Sequence, residues 1–172
     1  AGWSAITALF FLPVFANTDI LTFESPPGMP GRGERNMNKL MVLDGNSIVN
    51  RAFYGVSSNL TTRTGQPTNA VFGFLNILNK LLDEEQPQAL CVTFDRKAPT
   101  FRHLAYEGYK AQRKPMPEEL ASQMPILKEV LSALNIPMYE LDGWEADDLI
   151  GTIARRDEEA GWDTVIVTGD KD

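Results

Sequence analysis

From residue 39 onward the chain alternates between short unbroken apolar runs and longer stretches in which apolar residues recur every three or four positions. The runs KLMVLD (39–44), ALCVTFD (89–95), 136–141 and DTVIVT (163–168) are too short for helices and read as buried strands. Residues 46–56 read as the first helix. After the loop LTTRTGQP, Thr68 is placed to cap a second helix, AVFGFLNILNKLLDEE, which carries Val71, Phe74, Leu75, Leu78 and Leu82 on one stripe. Residues 118–135 predict a helix that Pro125 kinks or divides. Residues 145–160 predict another, anchored by Leu149, Ile150 and Ile153. Strands alternating with helices imply an α/β fold, a mostly parallel sheet with helices on both faces.

The first 36 residues break this rhythm. An apolar stretch from Trp3 to Ala16 is interrupted by Pro13 and is too short to span a bilayer. It ends like a signal-peptide core, but no basic residue precedes it. ESPPGMPGRGER follows, with the composition of a linker. The division expected is a poorly ordered extension over 1–36 and a globular domain over 37–172. Composition adds two constraints. The lone cysteine, Cys91, lies inside an apolar run and reads as a buried hydrophobe; no disulfide can form within the chain. The lone histidine, His103, has no second His or Cys nearby, which argues against zinc.

Acidic residues gather where the strands are expected to end. Asp44 closes the first run and Asp95 the second. Glu145, Asp147 and Asp148 open the helix after the third, and Asp170 and Asp172 follow the fourth. In an open parallel sheet, ligands collect outside the carboxyl ends of the strands, so these acids should converge on one edge. Each site has a plainer explanation. Asp142 and Glu145 have capping-box spacing, acids suit a first helical turn, and Asp-Gly is a common turn. All four coincidences must hold together for the plain account to stand. Massed carboxylates repel one another unless cations neutralise them, and oxygen-only ligands suit Mg²⁺ or Mn²⁺. Two such ions roughly 4 Å apart can activate water and stabilise the leaving oxygen of a phosphodiester. Glu145 and Asp148 share a helix face, whereas Asp147 points about 100° away and could serve a second ion.

Net charge is −7, yet Arg96, Lys97, Arg102, Lys110, Arg113 and Lys114 crowd one segment against a single acid, Glu107. Phe101, Tyr106 and Tyr109 interleave with them. Cations grip phosphate and aromatic rings stack on unpaired bases, so Arg102, Tyr109, Lys110, Arg113 and Lys114 are candidate DNA contacts. A solvated loop over packed aromatics would show the same composition.

LDGNSIVNRAFYGV, TRTGQPTNAVFGFLNIL, VTFDRKAPTFRHLAYEGYKAQRKPMPEEL, GWEADDLIGTIA and VTGDKD resemble successive blocks of the 5′→3′ exonuclease domain of bacterial DNA polymerase I, a flap endonuclease superfamily domain. The resemblance runs from Met37 to Asp172. It implies a PIN-like 5′-nuclease fold, two divalent cations, and hydrolysis of DNA phosphodiesters at 5′ ends and flaps, RNA-primed strands included. By motif, Asp44, Asp95, Glu145, Asp147, Asp148, Asp170 and Asp172 would form the metal site. Lys110 and Arg113 would act on the scissile phosphate from an arch, and Arg51 would approach it from the first helix. The resemblance further implies a monomer without membrane attachment, in the bacterial cytoplasm near the nucleoid, with a polymerase segment in the same chain. The family pattern continues beyond TGDKD with another metal-site aspartate and duplex-gripping helices. A truncated, weakly active or inactive nuclease is therefore expected. A DNA-binding module without turnover and a PIN-type ribonuclease remain as other readings, separable by turnover and by a flap-versus-RNA comparison.

Overall fold

A computed structural model describes residues 38–106, 108–110, 112 and 115–169. The extension expected over 1–36 lies outside these residues, as do Arg113, Lys114, Asp170 and Asp172.

Four strands form one sheet: β1 (Lys39–Asp44), β2 (Ala89–Thr93), β3 (Met138–Tyr139) and β4 (Asp163–Val167). Their order is β3-β2-β1-β4. Every pairing is parallel, with Asp44 opposite Thr93, Leu43 opposite Val167, and Val92 opposite Met138. Between β1 and β2 run α1 (Gly45–Gly55) and α2 (Asn69–Glu85). Between β2 and β3 come α3 (Phe101–Ala105), α4 (Glu118–Ala121) and α5 (Met124–Ala133). The last helix, α6 (Ala146–Glu159), leads into β4. The chain moves outward from β1 through β2 to β3, then doubles back past β1 to β4. Right-handed crossovers in opposite directions put α6 on the face opposite α1 and α2. The parallel sheet and its two helical layers are thus as the apolar rhythm predicts.

The core follows the predicted faces. Met41, Leu43, Val92 and Phe94 pack against Ile48, Val49 and Ala52 of α1, Val71, Phe74 and Leu78 of α2, and Leu120, Leu127 and Leu131. Leu149, Ile150 and Ile153 are buried on α6. Cys91 is buried, and burial foremost, then the charge of Asp157, pushes its thiol up to about 12, so it is inert at neutral pH. Among the described residues no helix is long and apolar enough to cross a membrane.

Three local expectations need correction. Thr68 occupies the N-cap of α2 but makes no capping bond there; its hydroxyl donates to the Leu60 carbonyl. The free amide of Ala70 instead donates to Gln123 Oε1 at 2.8 Å. The fully buried Gln123 also donates from Nε2 to Asn69 Oδ1 and to the Glu119 carbonyl. The helix expected over 118–135 does divide, but at Ser122–Gln123, and Pro125 sits in the first turn of α5, where its missing N–H costs nothing. β3 has two residues rather than six. Pro137 immediately before it cannot donate to a ladder, and only its carbonyl is used, by the Val92 amide.

Candidate metal and nucleic-acid site

β1 is the strand at which the chain reverses its direction across the sheet, and Asp44 is its last residue. Asp44 also N-caps α1. Its Oδ1 accepts the Ser47 amide at 3.0 Å and its Oδ2 accepts the Thr168 hydroxyl at 3.2 Å. Gly45 directly follows because any Cβ there would collide with the Phe94 ring. The Ser47 hydroxyl in turn accepts the Gly169 amide at 2.8 Å, which fastens the exit of β4 to the start of α1. Asp95 lies just past β2 and is held by two helix starts. Its Oδ1 accepts the Ala146 amide, the first of α6, at 2.7 Å, and its Oδ2 accepts Asn46 Nδ2 at 3.0 Å. Helix N-termini favour negative charge, so both aspartates are placed where backbone dipoles stabilise them.

A cavity of about 710 Å³ opens over these ends. Asp44, Asp95 and Asp147 share it with Arg51, Tyr54 and Lys110. Asp147, exposed on the first turn of α6 yet partly desolvated by its neighbours, is pushed above its ordinary value first by that desolvation and then by the charges of Asp44 and Asp95; Lys110 offsets part of this. Like charge gathered in one cavity is the electrostatic setting that attracts a cation. Among the described residues no three acid, His or Cys side chains form a ready-made metal cage.

Glu145 and Asp148 are arranged otherwise. Glu145 N-caps α6, and its amide donates to Asp148 Oδ2 at 3.1 Å. The capping box therefore begins at Glu145, one turn later than the Asp142–Glu145 spacing suggests. Asp142 instead pairs with Arg96 at 3.1 Å. Arg102 grips Asp148 with both terminal nitrogens at 2.7 Å and reaches Glu145 Oε2 at 3.3 Å. The Tyr109 hydroxyl donates to Glu145 Oε2 at 2.9 Å, and Lys110 Nζ to Glu145 Oε1 at 2.8 Å. The hydrogen bonds from Arg102 hold Asp148 below the usual carboxylate range. Burial alone would raise Glu145, but Lys110 and Tyr109 more than reverse it, and Glu145 too is lowered.

Arg102, Tyr109 and Lys110 of the basic segment are therefore folded onto the acidic one. Lys110 touches both groups: it binds Glu145 and lines the cavity beside Asp44, Asp95 and Asp147. Its φ of 55° is left-handed, a conformation that costs a branched or long side chain about 1 kcal/mol or more. Arg51 is exposed on α1 at the cavity's rim. The sequence reading missed Asn46, Asn50 and Tyr54, which line the same cavity. Their spacing of four along α1 was the available signal: a polar row on a helix that begins at a strand's carboxyl end.

The family model for the 5′-3′ exonuclease N-terminal resolvase-like domain matches residues 39–172. The chain is 47% identical over 134 residues to DNA polymerase I of Caldicellulosiruptor bescii, and 48% identical over 135 residues to that of Geobacillus stearothermophilus. Each match covers 78% of this chain; it spans 16% and 15% of those two relatives. The fold resembles that of a bacteriophage T5 flap endonuclease in a pseudo-enzyme–product complex with DNA and metal ions. That likeness has a TM-score of 0.56 and 20% identity, and covers 77% of this chain and 49% of the other. A T5 5′-exonuclease structure with bound zinc gives a TM-score of 0.55 at 19% identity, over 77% of this chain and 49% of that one. By its sequence match and its parallel sheet, the chain belongs to the family of 5′-3′ exonuclease N-terminal resolvase-like domains.

Proposed function

We propose that this domain hydrolyses DNA phosphodiester bonds at 5′ ends and flaps with the help of divalent cations, Mg²⁺ or Mn²⁺, held over Asp44, Asp95 and Asp147. The observation that carries the reading is the convergence of these three carboxylates in one cavity, with Asp147 raised first by desolvation and then by the other two. The donor set is all oxygen, which fits a hard cation. Bound there, such an ion would supply an activated water and stabilise the leaving oxygen. The chain's own residues do the rest. Asp44 and Asp95 are pre-aimed by helix amides, so little reorganisation is needed when charge arrives. Lys110 and Arg51 at the rim supply positive charge for the phosphate. Glu145 and Asp148 would be the residues to hold a second ion. Asp170 and Asp172 belong to the same proposal by their place after β4. Arg113 and Lys114 belong to it as phosphate contacts in the segment that already carries Arg102, Tyr109 and Lys110.

In this account the substrate is DNA with a 5′ end or flap, RNA-primed strands included. The domain works as a monomer beside a polymerase segment, in the bacterial cytoplasm. Single-turnover cleavage of a 5′-flap DNA with Mn²⁺ tests it, with EDTA and Asp95→Asn as controls. Mn²⁺-dependent cleavage lost in both controls is the expected result; cleavage that survives EDTA would end the metal reading. The pairing of Glu145 and Asp148 with internal cations favours a second reading, a domain that binds flap DNA without cutting it. Flap binding with no turnover at saturating Mn²⁺ would select it.

A further inference from the structure

Asn46 sits one residue beyond Gly45 in the first turn of α1, half-buried at the wall of the carboxylate cavity. Its side chain has two polar ends with different surroundings. Nδ2 donates to Asp95 Oδ2 at 3.0 Å. Oδ1 is buried and has no hydrogen-bond partner, the one such buried side-chain atom among the described residues. The amide cannot be turned to cure this, because an ionised carboxylate only accepts, and the other orientation would set oxygen against oxygen. A buried acceptor without a donor is costly, and native structures retain few of them. Asn46 lines the cavity shared with Asp44, Asp95 and Asp147, and no described residue supplies the missing donor.

We infer that Asn46 is a positioning residue for the cation site: Nδ2 fixes the Asp95 carboxylate, and Oδ1 accepts from a water carried by the bound divalent ion. The inference rests on the metal reading above and assigns a role to a residue outside the carboxylate set. Mg²⁺ and Mn²⁺ keep several waters when held by few carboxylates, and each of those waters needs acceptors around it. Supporting groups of this kind orient the ligands, and their loss lowers metal affinity without touching the ligands themselves. A structural role predicts something different. An asparagine retained only to join α1 to Asp95 would show its loss in the stability of the metal-free protein.

The test is Mn²⁺ binding to the 172-residue chain, followed by electron paramagnetic resonance, for wild type and Asn46→Ala, with the metal-free melting temperature of each. Asn46→Ala is expected to weaken Mn²⁺ binding by about 10- to 100-fold. Its metal-free melting temperature should stay within about 2 °C of wild type, since the lost hydrogen bond and the removed orphan acceptor roughly offset. Equal Mn²⁺ affinity in the two proteins would overturn the proposal while leaving the metal reading intact. A metal-free variant that melts far lower or does not fold would assign Asn46 a structural role and also overturn it. Wild-type protein that binds no Mn²⁺ would remove the metal reading and this inference with it.

Discussion

Two groups of acids lie at the same end of the sheet and are treated differently by the rest of the molecule. Asp44, Asp95 and Asp147 face one cavity; Asp44 accepts the Ser47 amide and the Thr168 hydroxyl, and Asp95 accepts the Ala146 amide and Asn46 Nδ2. Glu145 and Asp148, on the same helix as Asp147, are met by Arg102, Lys110 and Tyr109. The electrostatic consequence has opposite sign on the two sides: Asp147 is raised, whereas Glu145 and Asp148 are lowered. The first group is the one proposed to take an external cation. The second already holds internal ones, supplied by the segment proposed to grip DNA. The difference separates two things that a cluster of acids can mean, a waiting site and a closed ion-pair network.

The comparison can be broken most forcefully at Asp95, which is held by both helix starts. Asp95→Ala should reduce Mn²⁺ affinity by more than about 100-fold, since it removes a ligand rather than a supporting partner. Calorimetric titration would show it, and an unchanged affinity would move the cation site elsewhere. Next in size is Arg102→Ala, which removes the cation that Asp148 is paired with and leaves Glu145 with Lys110 and Tyr109. Breaking buried pairs costs about 3–5 kcal/mol, and with Arg102 about a third exposed a loss of about 2 kcal/mol is expected in urea unfolding of the metal-free protein. Added Mn²⁺ should return part of that loss. A stability loss below about 0.5 kcal/mol would mark these pairs as ordinary surface bridges.

Acid titration sharpens the same contrast. Arg102 holds Asp148 below its unfolded value, so the stability this pair confers is complete above about pH 4 and is lost as pH falls through the lowered folded value. Arg102→Ala should flatten the stability profile in that window, and identical acid limbs in the two proteins would contradict the pairing. The smallest effect is expected at Asp147. Its folded value is raised, so its ionised form opposes folding at pH 7. Asp147→Asn should stabilise the metal-free protein by about 0.3 kcal/mol, a figure kept small because the side chain is exposed and screened. Destabilisation instead would show that its charge has a partner.

Much of the fold was legible because its signals are local. Asp44 is the last residue of β1 as its apolar run indicates, and Glu145 opens the helix after the third strand as expected, whereas Asp95, expected to close the second strand, lies two residues past its end at Thr93. The contacts that close the site span long stretches of chain. Arg102 and Asp148 are 46 residues apart, and Gln123 caps a helix 53 residues earlier. Neither partner carries a pattern that names the other. α3 escaped notice for a different reason. It is a single turn of five residues, closed by His103 Nδ1 accepting the Thr100 amide, too short to show a period. The basic segment could be read for charge but not for direction: Arg96, Arg102 and Lys110 point into the protein's own acids.

On the proposed reading a divalent cation enters first on the Asp147 side of the helix and not on the Asp148 side. Mn²⁺ titration of wild type, Asp147→Asn and Asp148→Asn, followed by electron paramagnetic resonance, tests it most directly. The account predicts that Asp147→Asn weakens the tightest Mn²⁺ site by about tenfold or more, while Asp148→Asn, whose partner is Arg102, leaves that site nearly unchanged. Loss of the tightest site in Asp148→Asn, with Asp147→Asn still binding like wild type, would contradict it.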